Sequence, residues 1–216
     1  MRRLGALMIA ATLAAGVAAC SESKYTFVVS GGENVSFKIP REWRVFSMPT
    51  GAQDRLAPDS PGDVDLLWSR GFDGDPNPAE KHVAAMTNYG QVTVYHPVGL
   101  ANVYQIQGSY NQKVSLTEAR KAILGVDPMY VSSDVQSLVE ILEYEPVTRF
   151  GDLQGSRVRF NLRSTSDAPW STYEMIALID QGNYRMYTMI VGCIGTCFEE
   201  SSREIAEIID SWRFER

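Results

Sequence analysis

Three cysteines, Cys20, Cys193 and Cys197, are the most reactive side chains in this 216-residue chain, and their surroundings divide them into one and two. Cys20 closes an N-terminal stretch built in three parts. Met1-Arg2-Arg3 is short and basic, Leu4 to Ala15 runs apolar without a charge, and Val17-Ala18-Ala19 places small residues directly before the cysteine. That order is the layout of a secretory signal. The apolar run is shorter than the roughly 20 residues a helix needs to cross the hydrocarbon core, which makes it a signal segment rather than a lasting span.

Val17, Ala18, Ala19 and Cys20 resemble the lipobox of bacterial lipoproteins position for position. The resemblance implies cleavage before Cys20, a diacylglyceryl thioether on its sulfur and acylation of the new amino group. Each buried methylene contributes ~0.8 kcal/mol, and two or three acyl chains make a stable anchor where one does not. Residues 1–19 are then a signal peptide, residues 20–24 a lipidated tether, and residues 25–216 a domain held on a cell-envelope membrane, facing the periplasm. Ser21, rather than an acidic residue, follows the cysteine, which in the enterobacterial sorting pattern favours the outer membrane.

Export also decides what the other two thiols meet, because an oxidising compartment favours their pairing. Cys193 and Cys197 have C-x₃-C spacing with Gly195 between them, so a turn brings their Cα atoms within disulfide reach. The expected outcome is a loop staple between the last strand and the last helix. The alternative is a thiol-redox pair, since a position before a helix lowers a thiol pKa.

Other residue sets hold less chemistry. Arg157, Arg159 and Arg163 alternate with Val158, Phe160 and Leu162, with Arg149 upstream and Trp170 and Tyr173 following. They form either an anion-binding face or a solvated strand face paired to carboxylates such as Glu174. His82 and His96 lack a second ligand at i+3 or i+4, so no metal site is expected. Asp73-x-Asp75-x-Asn77 opens like a calcium loop, but Pro78 stands where the glycine belongs and Ala84 where the bidentate glutamate belongs. A solvated acidic turn is the expectation there. Gly31-Gly32 lacks the further glycines and lysine of a nucleotide loop, and no G-x-S-x-G occurs, so no cofactor is expected.

Composition narrows the partners. Loss of Arg2 and Arg3 with the signal takes the basic count from 20 to 18 against 26 acidic residues. This acidic balance excludes the concentrated basic footprint of a nucleic-acid binder, and it leaves membrane residence to the acyl chains.

The elements that position these residues follow from periodicity. Tyr25–Val29 and Val35–Ile39 flank Gly31-Gly32 as a hairpin, Arg44–Ser47 and Val64–Ser69 read as strands, and Gln91–Tyr95 as another. The segments 49–62 and 71–78 read as soft loops. Helices are expected after Asn77-Pro78, after the capping box Ser115-x-x-Glu118 with Gly125 as its stop, and after Ser133 through Leu142. Arg157–Arg163, Thr172–Asp180 and Tyr184–Val191 read as strands, the last two joined at Gln181-Gly182-Asn183. A final helix puts Phe198, Ile205, Ile208, Ile209 and Trp212 on one stripe, with Glu199 and Arg203 paired at i,i+4. The sum is an α+β fold, an antiparallel sheet layered with helices.

The hairpin ending Phe37-Lys38-Ile39-Pro40-x-x-Trp43, together with the late strand pair and the helix ending Ile208-Ile209-Asp210-Ser211-Trp212-Arg213-Phe214, resembles the PsbP-like superfamily. That resemblance implies an α/β/α sandwich over residues 25–216, with residues 70–140 as an insertion, and members that act as binding or accessory proteins. The function expected is therefore a lipid-anchored, non-enzymatic envelope module that binds a protein partner or small ligand. An envelope hydrolase or thiol-redox enzyme is the alternative.

Overall fold

The computed structural model describes residues 23–48, 64–87, 94–106, 115–133, 136–149, 153–180, 182 and 184–214. Cys20, the signal segment, the loop at 49–62 and the turn residues Gln181 and Asn183 lie outside them. Strands β1 (Tyr25–Ser30) and β2 (Val35–Pro40) form the antiparallel hairpin, with Tyr25 opposite Pro40 and Ser30 opposite Val35. Asn34 takes a φ of 54° at the turn, a left-handed conformation asparagine tolerates. The period of two sends Val28, Val35, Phe37 and Ile39 inward, and it leaves Phe27 and Val29 in solvent. The short strand β10 (Arg213–Phe214) joins the free side of β2 and completes a three-stranded sheet.

Seven more strands make the main sheet: β3 (Arg44–Ser47), β4 (Val64–Asp73), β5 (Val98–Ile106), β6 (Val139–Arg149), β7 (Leu153–Leu162), β8 (Ser171–Asp180) and β9 (Arg185–Ile194). Their order is β3-β4-β5-β9-β8-β7-β6, and every pairing is antiparallel. Helices α1 (Glu80–Thr87) and α2 (Leu116–Leu124) cover one face, where Val83, Met86, Ile123 and Leu124 meet Leu100, Phe160, Tyr173, Met175 and Ile190. Helix α3 (Gly195–Asp210) and the small sheet cover the other, where Phe37, Ile205, Ile208, Ile209 and Trp212 meet Phe72, Ile176, Leu178 and Met189. The result is a single-domain α+β sandwich. Strands β8 and β9 are almost continuously buried because both their faces are covered.

Local signals account for several ends. Ser115 caps α2, its hydroxyl accepting from the Glu118 amide at 3.2 Å, and Gly125 stops it at φ 70°. Helix α1 begins at Glu80, later than Pro78 implies, because the Asp73 carboxylate, fixed at the end of β4, accepts from the Ala79 amide at 2.9 Å. Residues 71–73 belong to β4, so the soft segment starts only at Gly74.

Three expectations fail. Residues 139–142 are not helical: after a 3-10 turn at Gln136–Leu138 the chain enters β6. A bulge between Ile141 and Glu143 breaks the strand's alternation in mid-course, and the displaced apolar residues fall at helical spacing. Pro146 is tolerated because β6 is an edge strand. Of the expected strand Gln91–Tyr95, Gln91, Val92 and Thr93 lie outside the described residues and Val94 and Tyr95 are not in a strand; the strand described next is β5, whose burial on both faces removes the alternation that would announce it. Arg203 pairs with Glu207 at 3.1 Å rather than with Glu199. Within 70–140, β5 stands between β4 and β9 in the main sheet, and α1 and α2 cover one of its faces.

Candidate functional site

Register decides what the arginine row meets. In β7 the odd positions point to the α3 face, so Arg157 and Arg159 stand beside Glu174 of β8 on one side and Glu145 and Glu143 of β6 on the other. Glu174 is 1% exposed, and its carboxylate is held from both sides. Arg157 donates to Oε1 through its Nε and pairs there through Nη2. Arg159 donates to Oε2 through Nε at 3.2 Å and Nη2 at 3.0 Å. Each guanidinium then reaches a second acid. Arg157 Nη1 meets Asp210 at the end of α3 at 2.9 Å, and Arg159 Nη1 meets Glu143 at 2.9 Å.

Two forks on one carboxylate make the arrangement strongly directional, since guanidinium matches carboxylate in a plane. Burial works against the charge of Arg157, but the neighbouring carboxylates of Glu174 and Asp210 outweigh it and raise its pKa. Arg149, one turn of the network away, shows the opposite balance. Burial lowers its pKa, Asp210 only partly offsets that, and the like charge of Arg157 adds to the lowering. Its Nη1 donates to the Trp212 carbonyl at 3.4 Å. Glu143, Glu145, Arg157, Arg159 and Glu174 line a cleft of about 170 Å³. Three carboxylates thus face two guanidiniums in the cleft, and Glu174 engages both guanidiniums while Glu143 also pairs with Arg159.

The remaining sequence candidates separate. Arg163 leaves the row: it lies 4.2 Å over the Trp170 ring and donates to the carbonyls of Ser166 at 2.6 Å and Ser137 at 2.9 Å, pinning two loops. Tyr173 is on the opposite face, stacked on Phe160 at 5.7 Å, and burial pushes its hydroxyl up to about 12. Cys193 and Cys197 are joined by a disulfide between β9 and the start of α3, with Cα atoms 5.9 Å apart. Asp73 is wholly buried rather than solvated: it accepts from the amides of Asp75 and Ala79 and bonds His82 Nδ1 at 2.8 Å, so its role is to cap α1. Among the described residues no group of acids, histidines or cysteines is arranged to hold a metal. Glu143 and Glu145 were missed as members of the cleft, and Asp210 as a second partner of Arg157; reading Glu143-x-Glu145 as strand alternation would have found the first two.

No family model matches the chain, and none of the curated proteins does. Among solved structures it is similar to cyanobacterial PsbP (CyanoP) of Synechocystis sp., at 7% identity over 91% of this chain and 96% of that one, with a TM-score of 0.49. It is also similar to LpqN of Mycobacterium tuberculosis, described as involved in cell envelope biogenesis, at 10% identity over 91% and 88%, TM-score 0.46. A third is the Ran-binding protein Mog1p of Saccharomyces cerevisiae, at 8% identity over 88% and 95%, TM-score 0.45. At these identities the likenesses concern chain path and not chemistry. Among the described residues, no helix is long and apolar enough to cross a membrane.

Proposed function

We propose that this chain is a lipid-anchored envelope protein whose α+β domain is a binding module, held on the membrane through Cys20. The observation that carries the proposal is the basic, apolar and small-residue order closing at Cys20, only five positions before β1 begins at Tyr25. The surface offered to a partner is the outer edge of β6, which has no neighbouring strand among the described residues. There Ile141, Leu142 and Tyr144 are exposed among Glu140, Glu143 and Glu145, beside the acid-rimmed cleft. An exposed apolar stretch within an acidic edge suits a partner that carries apolar and basic groups in turn.

Fractionation tests the anchor. Cys20→Ala should abolish the acyl-modified mature form and release the protein from membranes, and a variant still membrane-bound at mature size would overturn the reading. Capture from detergent-solubilised envelopes tests the surface. Joint Glu143→Gln, Tyr144→Ala and Glu145→Gln should remove the specific partner bands, whereas an unchanged set would move the binding function away from β6.

A further inference from the structure

We propose that the outward face of the small β1-β2-β10 sheet lies on an anionic lipid surface, an inference that rests on the anchored reading of Cys20. Among the described residues no element covers this face, and its residue types suit an interface. Phe27 and Val29 project into solvent at 69% and 61% exposure, the outward positions of an edge strand whose other side is buried in the core. Basic groups flank them. Lys24 is exposed, Lys38 lies opposite Phe27 in register with its Nζ 4.2 Å over the Tyr25 ring, and exposed Arg213 pairs with Ser36. Two acidic groups that adjoin this sheet are already engaged: Glu207 by the Tyr25 hydroxyl and Arg203, and Glu33 by Arg185 at 3.1 Å. An acidic chain thus gathers positive charge and exposed apolar side chains on the sheet whose first strand follows Cys20 by five positions.

Chain length limits where this face can be. From Cys20 to Tyr25 a fully extended backbone spans at most about 18 Å, so acyl chains in the bilayer hold the start of β1 close to the headgroups. Aromatic and apolar side chains settle at the boundary of headgroup and acyl chain, and lysine and arginine beside them meet anionic lipid. Docked this way, the layer of α1 and α2 on the far side of the main sheet turns away from the membrane.

The test uses the full lipidated protein in vesicles of phosphatidylcholine and phosphatidylglycerol in equal parts. A polarity-sensitive fluorophore is placed through Phe27→Cys or, beyond α2, through Tyr130→Cys, a position 73% exposed. The Phe27 label should shift to the blue and be quenched by lipids brominated in the acyl chain, while the Tyr130 label does neither. Lys24→Gln with Lys38→Gln should lower the docking equilibrium constant by about fivefold for each positive charge removed. Equal spectra at the two positions would overturn the docked face. Mass spectrometry of the same preparation reads the anchor separately. A lipidated protein with the Phe27 label in water overturns docking alone, and an unlipidated protein overturns the anchor and the docked face with it.

Discussion

Glu174 is one residue on which two cations depend. With Arg157 19% exposed and Arg159 34% exposed, removing its charge leaves two half-buried guanidiniums facing each other. Glu174→Gln should cost toward the lower end of roughly 3–5 kcal/mol, read as a lowered urea midpoint. Glu207 gives a pH-dependent counterpart. Its carboxyl is held below its ordinary value of 4.5, first by the hydrogen bond from the Tyr25 hydroxyl and then by Arg203. A carboxyl depressed in the folded state stabilises that state above 4.5, and the contribution disappears as pH falls through the folded value. Tyr25→Phe should therefore move the Glu207 titration upward, toward the ordinary carboxyl range, as followed by carboxyl carbon chemical shifts. The pairing of Arg157 and Arg159 with Glu174 was legible as an alternative in the sequence, since the two arginines alternate with apolar residues along β7 and Glu174 is a carboxylate in the strand that follows. The third arginine was not. Arg163 stands beyond the end of β7, where the backbone turns it toward Trp170.

Between β7 and β8 the backbones leave no room for a side chain at Gly155, where a Cβ would stand 1.9 Å from the Ala177 carbonyl oxygen. Gly155→Ala must push β7 and β8 apart, and a loss at or above the roughly 1–3 kcal/mol of core overpacking is expected in thermal unfolding. The junction of β9 and α3 depends on the short covalent loop between Cys193 and Cys197, four positions apart. A loop this small restricts the unfolded chain modestly, and Cys193→Ser with Cys197→Ser should cost about 2 kcal/mol by chain-entropy reasoning. Calorimetry of the intact and reduced protein provides the same comparison without mutation. Elements were readable where local chemistry repeats, as in the capping box of α2 and the stripe of α3. They were unreadable where tertiary burial erases a period, as in β5, or where a bulge shifts it, as in β6.

Phe37 joins the two sheets into one molecule. Fully buried on β2, it meets Trp68 at 6.3 Å and Phe72 at 5.4 Å on β4, so the small sheet and the main sheet share a core. Phe37→Ala should cost about 3–5 kcal/mol and lower the near- and far-ultraviolet dichroism midpoints together. Separate midpoints would show that the small sheet unfolds by itself. At this scale the sequence alone determined the basic, apolar and small-residue order ending at Cys20, the acidic balance, the early hairpin and the apolar stripe of α3. These are local or compositional properties, readable in a few consecutive residues. The tertiary structure alone decided that Glu143, Glu145 and Asp210 converge on Arg157 and Arg159, that Asp73 is buried as the cap of α1, and that basic and apolar groups collect on the outward face of β1 and β2. Those groupings depend on strand register and on the order β3-β4-β5-β9-β8-β7-β6, which join residues distant in the chain, and no local pattern records such pairings.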